Sequence, residues 1–185
     1  MLRNSDVEKF LVNKMGFERS DRSHAKYHIG KQLGLCIPAV LPITLQHGRH
    51  EVAKHILKQM ETFFGLSKHS FQEAADCYHS RLAVYISFLV SRLEIYTAKL
   101  QFEPLDYENL LVAFLDSVPL FLGALMRGHD QRRRHRRDAA LKAELLERIQ
   151  GLRSGIGTSS NRVLRGKMTK ILDELCGALQ AIPAK

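Results

Sequence analysis

Tryptophan is absent and cysteine is scarce: Cys36, Cys77 and Cys176 are the only three in 185 residues. They are odd in number, far apart, and form no CxxC pair. That excludes a zinc ribbon and argues against a disulfide framework, so a reducing, cytoplasmic setting is expected. Walker loops, GxGxxG turns and HExxH pairs are missing as well. No nucleotide cofactor and no bound metal is therefore expected. Nor is there an apolar signal core near the N-terminus. The most apolar stretch, Leu110 to Met126, carries Asp116 and Pro119. It falls short of the ~20 residues of a bilayer span, and it reads as a buried helix with no membrane partner.

What is abundant is positive charge. The chain carries 28 Lys and Arg against 19 Asp and Glu, a net charge of +9. Residues 1–76 hold 11 basic and 8 acidic side chains, residues 77–127 hold 4 and 5, and residues 128–185 hold 13 and 6. The excess thus lies at the two ends, and the sign favours a polyanionic partner, nucleic acid ahead of lipid. With 45% hydrophobic residues, the chain has material for a real core.

Periodicity divides the chain. Ser5-Asp6-Val7-Glu8 reads as a capping box, followed by Val7, Phe10, Leu11 and Met15 at helical spacing and Gly16 as the stop. His24 to Ile29 and Leu33 to Leu45 are rich in β-formers, with Pro38 and Pro42 marking an edge strand or an early exit from the sheet. A helix from Arg49 to Phe64 follows, stopped by Gly65. The expected order over residues 1–76 is α-β-β-(β)-α, an α+β domain with two helices on one face of a small antiparallel sheet. A second capping box, Ser70 to Glu73, precedes Phe71, Tyr78, Leu82, Tyr85, Leu89, Leu93, Tyr96 and Leu100. This stripe predicts one helix near thirty residues long. Helices near 106–126, 138–151 and 161–181 complete an all-α bundle over 77–185.

Three segments could carry chemistry. His24, Lys26 and His28 alternate, so on a strand they share a face. Imidazoles beside a lysine suit RNA cleavage, which needs a base for the 2′-hydroxyl and cations for the phosphate. The same spacing equally describes an ordinary solvated strand. Arg49 and His55 are separated by five residues, a spacing that resembles the ribonuclease motif of the helical HEPN family, and equally a solvated helix face. Arg127, Arg132, Arg133, Arg134, Arg136 and Arg137 put six arginines into eleven residues. Such a run repels itself on a helix and suits phosphate oxygens. Without interleaved aromatics it would not stack bases. A solvated linker is the competing description.

Met15-Gly16-Phe17, Ser23-His24, Ile37-Pro38, the helix to Phe64, and Gly65-Leu66-Ser67 with Phe71 together resemble the HicA family of toxin ribonucleases. The resemblance covers residues 5–75, with Arg22 standing where that family has glycine. It implies a fold like a double-stranded-RNA-binding domain, and a metal-independent endoribonuclease with His24 as the catalytic residue. The expected function is RNA binding, by Lys26, His28 and the arginine run, with HicA-like cleavage. The alternative is a non-catalytic interaction module, a subunit or inhibitor of a nucleoprotein complex, pairing as a homo-oligomer or with a partner through the helix at 71–100. A DNA-binding regulator ranks last, because no helix-turn-helix pattern is present.

Overall fold

The computed structural model describes residues 2–20, 26–29, 40–41, 45, 51–76, 78–100, 102, 104–129, 137–156 and 161–183. Helix α1 (Asn4–Lys9) opens where the Arg3 N–H donates to the Asp6 carboxylate at 3.1 Å, two residues ahead of the expected cap at Ser5. It continues as a π-helical turn over Phe10–Lys14. Gly16 ends it at φ +72, a left-handed conformation open to glycine at no steric cost. Strands β1 (Phe17–Ser20), β2 (Lys26–Ile29) and β3 (Val40–Leu41) form an antiparallel sheet in that order. Phe17 lies opposite Ile29, and Tyr27 opposite Leu41.

The expectation of an α+β N-terminal domain is overturned. The chain is predominantly helical, and the three strands among the described residues are only four, four and two residues long. The long second strand expected over Leu33 to Leu45 is represented among the described residues by Val40–Leu41 alone. The physical reason lies in where the apolar faces point. The sheet sends Phe17 and Tyr27 into the core, whereas the flanking helices pack on other helices. Phe10 stands edge-on to Phe64 and Phe71, each with ring centroids at 5.5 Å, and Phe63 lies 5.0 Å from Phe88. One continuous hydrophobic cluster runs from Leu2 to Ile182.

Helix α2 (Lys54–Phe64) begins five residues later than the sequence pattern suggests. It turns Ile56, Met60, Phe63 and Phe64 inward. Gly65 stops it at φ +66, where an added Cβ would lie 2.4 Å from the Ser91 Cβ. The expected thirty-residue helix is two helices, α3 (Lys68–Ala75) and α4 (Arg81–Leu100). Ser67 caps α3 by accepting the Ser70 N–H at 3.1 Å, so the cap sits three residues before the expected one. Ser80 caps α4, its hydroxyl accepting the Ala83 N–H.

Helices α5 (Pro104–Arg127), α6 (Asp138–Ile156) and α7 (Arg162–Gln180) complete the bundle, and α4 packs against α2, α5, α6 and α7. Residues 107–127 of α5 are long and apolar enough to cross a membrane by length and composition, with 44% of the most apolar window buried inside the protein. Leu111, Phe114, Val118, Phe121 and Leu125 supply its buried face, while Leu120 is 71% exposed.

Leu82, Tyr85, Leu89, Leu93 and Tyr96 of the predicted stripe are all buried. Leu89→Ala should therefore cost ~2–5 kcal/mol, the range for a large-to-small change in a packed core. Denaturant unfolding checks this, and a loss below about half a kcal/mol would place the side chain outside the core.

Burial raises the hydroxyl pKa of Tyr27, Tyr85 and Tyr96 above the usual tyrosine range, and that of Tyr85 far above it, with Arg81 pulling the other way. Below pH ~10 both folded and unfolded chains keep these protons, and the stabilisation is fully present. Above that, the unfolded chain ionises first, and stability falls as pH climbs towards the folded-state values. Urea midpoints should drop as the pH rises above about 10, and less steeply in Tyr85→Phe. Free-tyrosine titration of all three phenols in an intact fold would contradict this.

Candidate functional site

The arginine segment enters and leaves the fold at fixed points. Arg127 is the last residue of α5, and its side chain is exposed. Arg137 immediately precedes α6; its backbone N–H donates to the Tyr78 carbonyl at 3.2 Å. Its guanidinium meets Glu73, Nε to Oε1 at 2.9 Å.

That contact sits above a buried polar cluster. Helix α3 places His69 and Glu73 one turn apart, with the His69 Nε2 3.3 Å from the Glu73 Oε1. Beyond α3, the Tyr78 N–H donates to the Glu73 carbonyl at 2.8 Å. His79 follows, almost wholly buried. Its Nε2 lies 3.4 Å from the Glu73 Oε2, and its Nδ1 lies 3.5 Å from the Asp138 Oδ1. Both contacts are at ion-pair distance without hydrogen-bond alignment. Asp138, equally buried as the first residue of α6, accepts the Ser80 N–H at 2.8 Å. An acidic side chain in the first turn of a helix also suits its dipole.

An open cleft of about 630 Å³ lies beside this cluster, lined among others by Asp6, His69, Glu73, Asp76, Tyr78 and Arg137. Its carboxylates outnumber its cations, so the arginine segment ends against an acidic wall. Among the described residues, no three His, Cys, Asp or Glu side chains meet as metal ligands would. His79 is too enclosed to touch a macromolecular substrate. What the cluster can do is hold three chain segments together: the end of α3, the start of α4, and the junction of the arginine segment with α6.

The residues singled out from sequence fare unequally. His24, Arg132, Arg133, Arg134 and Arg136 lie outside the described residues, as does Arg49. Lys26 and His28 alternate with Tyr27 on β2, at register positions opposite Ser20 and Glu18. Arg127 and Arg137 are exposed, and His55 is an exposed residue in the first turn of α2. The sequence pattern did not reveal Glu73, His79 and Asp138. A partial signal was present: Ser80 stands three residues ahead of Ala83 like a cap, and Asp138 follows the arginine run at the start of a helical pattern. Nothing in the linear pattern joins positions 58 residues apart.

Asp138→Ala removes the acceptor of a buried N–H and one of the two carboxylates beside His79. A loss of ~1–3 kcal/mol is expected for the orphaned donor, read as a lowered thermal midpoint. Wild-type stability in this variant would show that water reaches the Ser80 N–H and that the cluster is no clamp.

No protein-family model, no characterised protein and no solved structure matches this chain.

Proposed function

We propose that the protein binds RNA, and that the arginine segment 127–137 supplies most of the affinity. The observation that carries this reading is the anchoring of the segment. Six arginines, opposed within the segment by Asp130 alone, are strung between the end of α5 and an amide held by the Tyr78 carbonyl. Arg127 and Arg137, at its two ends, are thus held on the helical body, and neither has to be ordered on binding. Its guanidiniums would then neutralise successive phosphates and release their counterions. The segment has no Phe, Tyr or Trp, which favours backbone recognition over base reading.

HicA-like cleavage by His24, with Lys26 and His28 beside it, is the enzymatic form of this proposal. It rests on the resemblance alone. The reading as a protein-interaction module took its support from the stripe at 71–100, but six of those eight side chains are buried within the chain itself. A partner would have to use another surface.

Replacing Arg132, Arg133, Arg134, Arg136 and Arg137 with alanine should weaken binding to single-stranded RNA whatever its sequence. It should also flatten the salt dependence by about 0.7 in log–log slope for each phosphate no longer neutralised. His24→Ala should leave that slope unchanged; if it abolishes RNA cleavage while binding persists, the protein is a ribonuclease. Absence of RNA binding by the wild type at low salt would sink the reading.

A further inference from the structure

We propose that Glu73 acts as an internal stand-in for phosphate, holding the Arg137 guanidinium in the cleft of the free protein and yielding it when RNA binds. This rests on the RNA-binding reading above. Four observations lead to it. First, the pairing has the chemistry of the one it would replace, since an arginine Nε–H aimed at a carboxylate oxygen is equally suited to a phosphate oxygen. Second, the pair is unequal. The Arg137 side chain is 58% exposed and free to swing outward, whereas Glu73 is 13% exposed and fixed on α3.

Third, Glu73 is not stranded when Arg137 leaves. His69 stays at 3.3 Å from one of its oxygens and His79 at 3.4 Å from the other. At 13% exposure Glu73 also keeps access to water, so release of Arg137 does not leave a fully desolvated charge unpaired. Fourth, the chain end does not depend on the ion pair, because the Arg137 N–H is held independently by the Tyr78 carbonyl. The guanidinium can change partner while the segment stays docked. Asp6 and Asp76 line the same cleft, so phosphate cannot follow the guanidinium inward. Exchange must bring the arginine out to the ligand. In the resting state the ion pair withholds one cation from any polyanion and lowers affinity for weak or transient ones.

A double-mutant cycle tests this with a labelled uridine oligoribonucleotide as probe, measured over a range of salt. Glu73→Gln should bind about two- to fivefold more tightly than wild type, the size of a partly exposed ion pair. Its salt slope should match that of the wild type, because the same phosphates are neutralised in both complexes and only the cost of freeing Arg137 differs. On the Arg137→Ala background, Glu73→Gln should change neither quantity. Asp76→Asn, which removes a charge from the same cleft without touching Arg137, should not reproduce the tightening. An equal effect of Glu73→Gln on both backgrounds would reduce it to bulk charge and overturn the latch. Should Glu73→Gln fail to fold, the unmodified protein gives the answer. The Arg137 Nε–H NMR signal, assigned by its disappearance in Arg137→Ala, should move and saturate with the RNA; a signal unmoved at saturation overturns the latch. Failure of all four proteins to bind RNA would sink the RNA reading and the latch with it, whereas binding without coupling sinks the latch alone.

Discussion

The fold depends on the burial of α4. Residues 82 to 91 are buried one after another around the whole circumference of this helix. A helix that is apolar on every side has no stable place at a surface and must be surrounded. Helices α2, α5, α6 and α7 do the surrounding. Each therefore needs only one apolar stripe and can leave its outer face polar. The two serines in the buried run, Ser87 and Ser91, mark where a backbone comes close. At Gly65 the chain passes near enough that a methyl group would collide with Ser91. The Gly65 carbonyl is met there by the Ser87 hydroxyl at 3.0 Å and the Arg148 guanidinium at 2.9 Å.

Around that central helix, chain ends are tied down by long polar side chains reaching out of the bundle. Arg81 donates to the Met15 carbonyl at 3.0 Å, and Tyr85 bonds the same oxygen. Arg92 donates to the Phe63 carbonyl at 3.2 Å while lying over the rings of Phe63 and Phe88. Arg148 adds a paired contact to Glu94 at 2.9 and 2.7 Å. Met15, Phe63 and Gly65 all lie at or beside the ends of N-terminal helices, where main-chain carbonyls lack helical partners. The bundle thus satisfies the orphan groups of the N-terminal segments. This is why the small sheet does not organise a domain around itself.

Much of the helical part was legible in the sequence, because 3.6-residue periodicity records which face is buried. Helices α5, α6 and α7 fall close to where spacing puts them, and Gly16 and Gly65 stop the helices before them. The break between α3 and α4 was not legible. Phe71 and Leu82 keep helical phase across residues 76–80, so the apolar stripe runs through a break between helices that its pattern does not register. The overweighting of the sheet has a similar cause. β-Formers and alternation describe what a segment can do locally, and tertiary packing decided otherwise. The cluster of Glu73, His79 and Asp138 was hidden for a plainer reason: its members come from three separate elements, and only packing brings them together.

Those three residues also bear on how so basic a segment is tolerated. The arginines from 132 to 137 lead into the N-terminus of α6. Unpaired backbone N–H groups there already present partial positive charge, so cations are disfavoured at that end of a helix. Arg127, at the C-terminal end of α5, sits where the dipole favours it. At the strained end the protein supplies two carboxylates: Asp138 in the first turn of α6, and Glu73 from α3 against Arg137. Two negative charges do not balance the run, and Asp138 is already committed to the Ser80 N–H. Among the described residues, Arg137 is met by Glu73 from a neighbouring helix, and Asp138 fills the helix position where the dipole favours an acid.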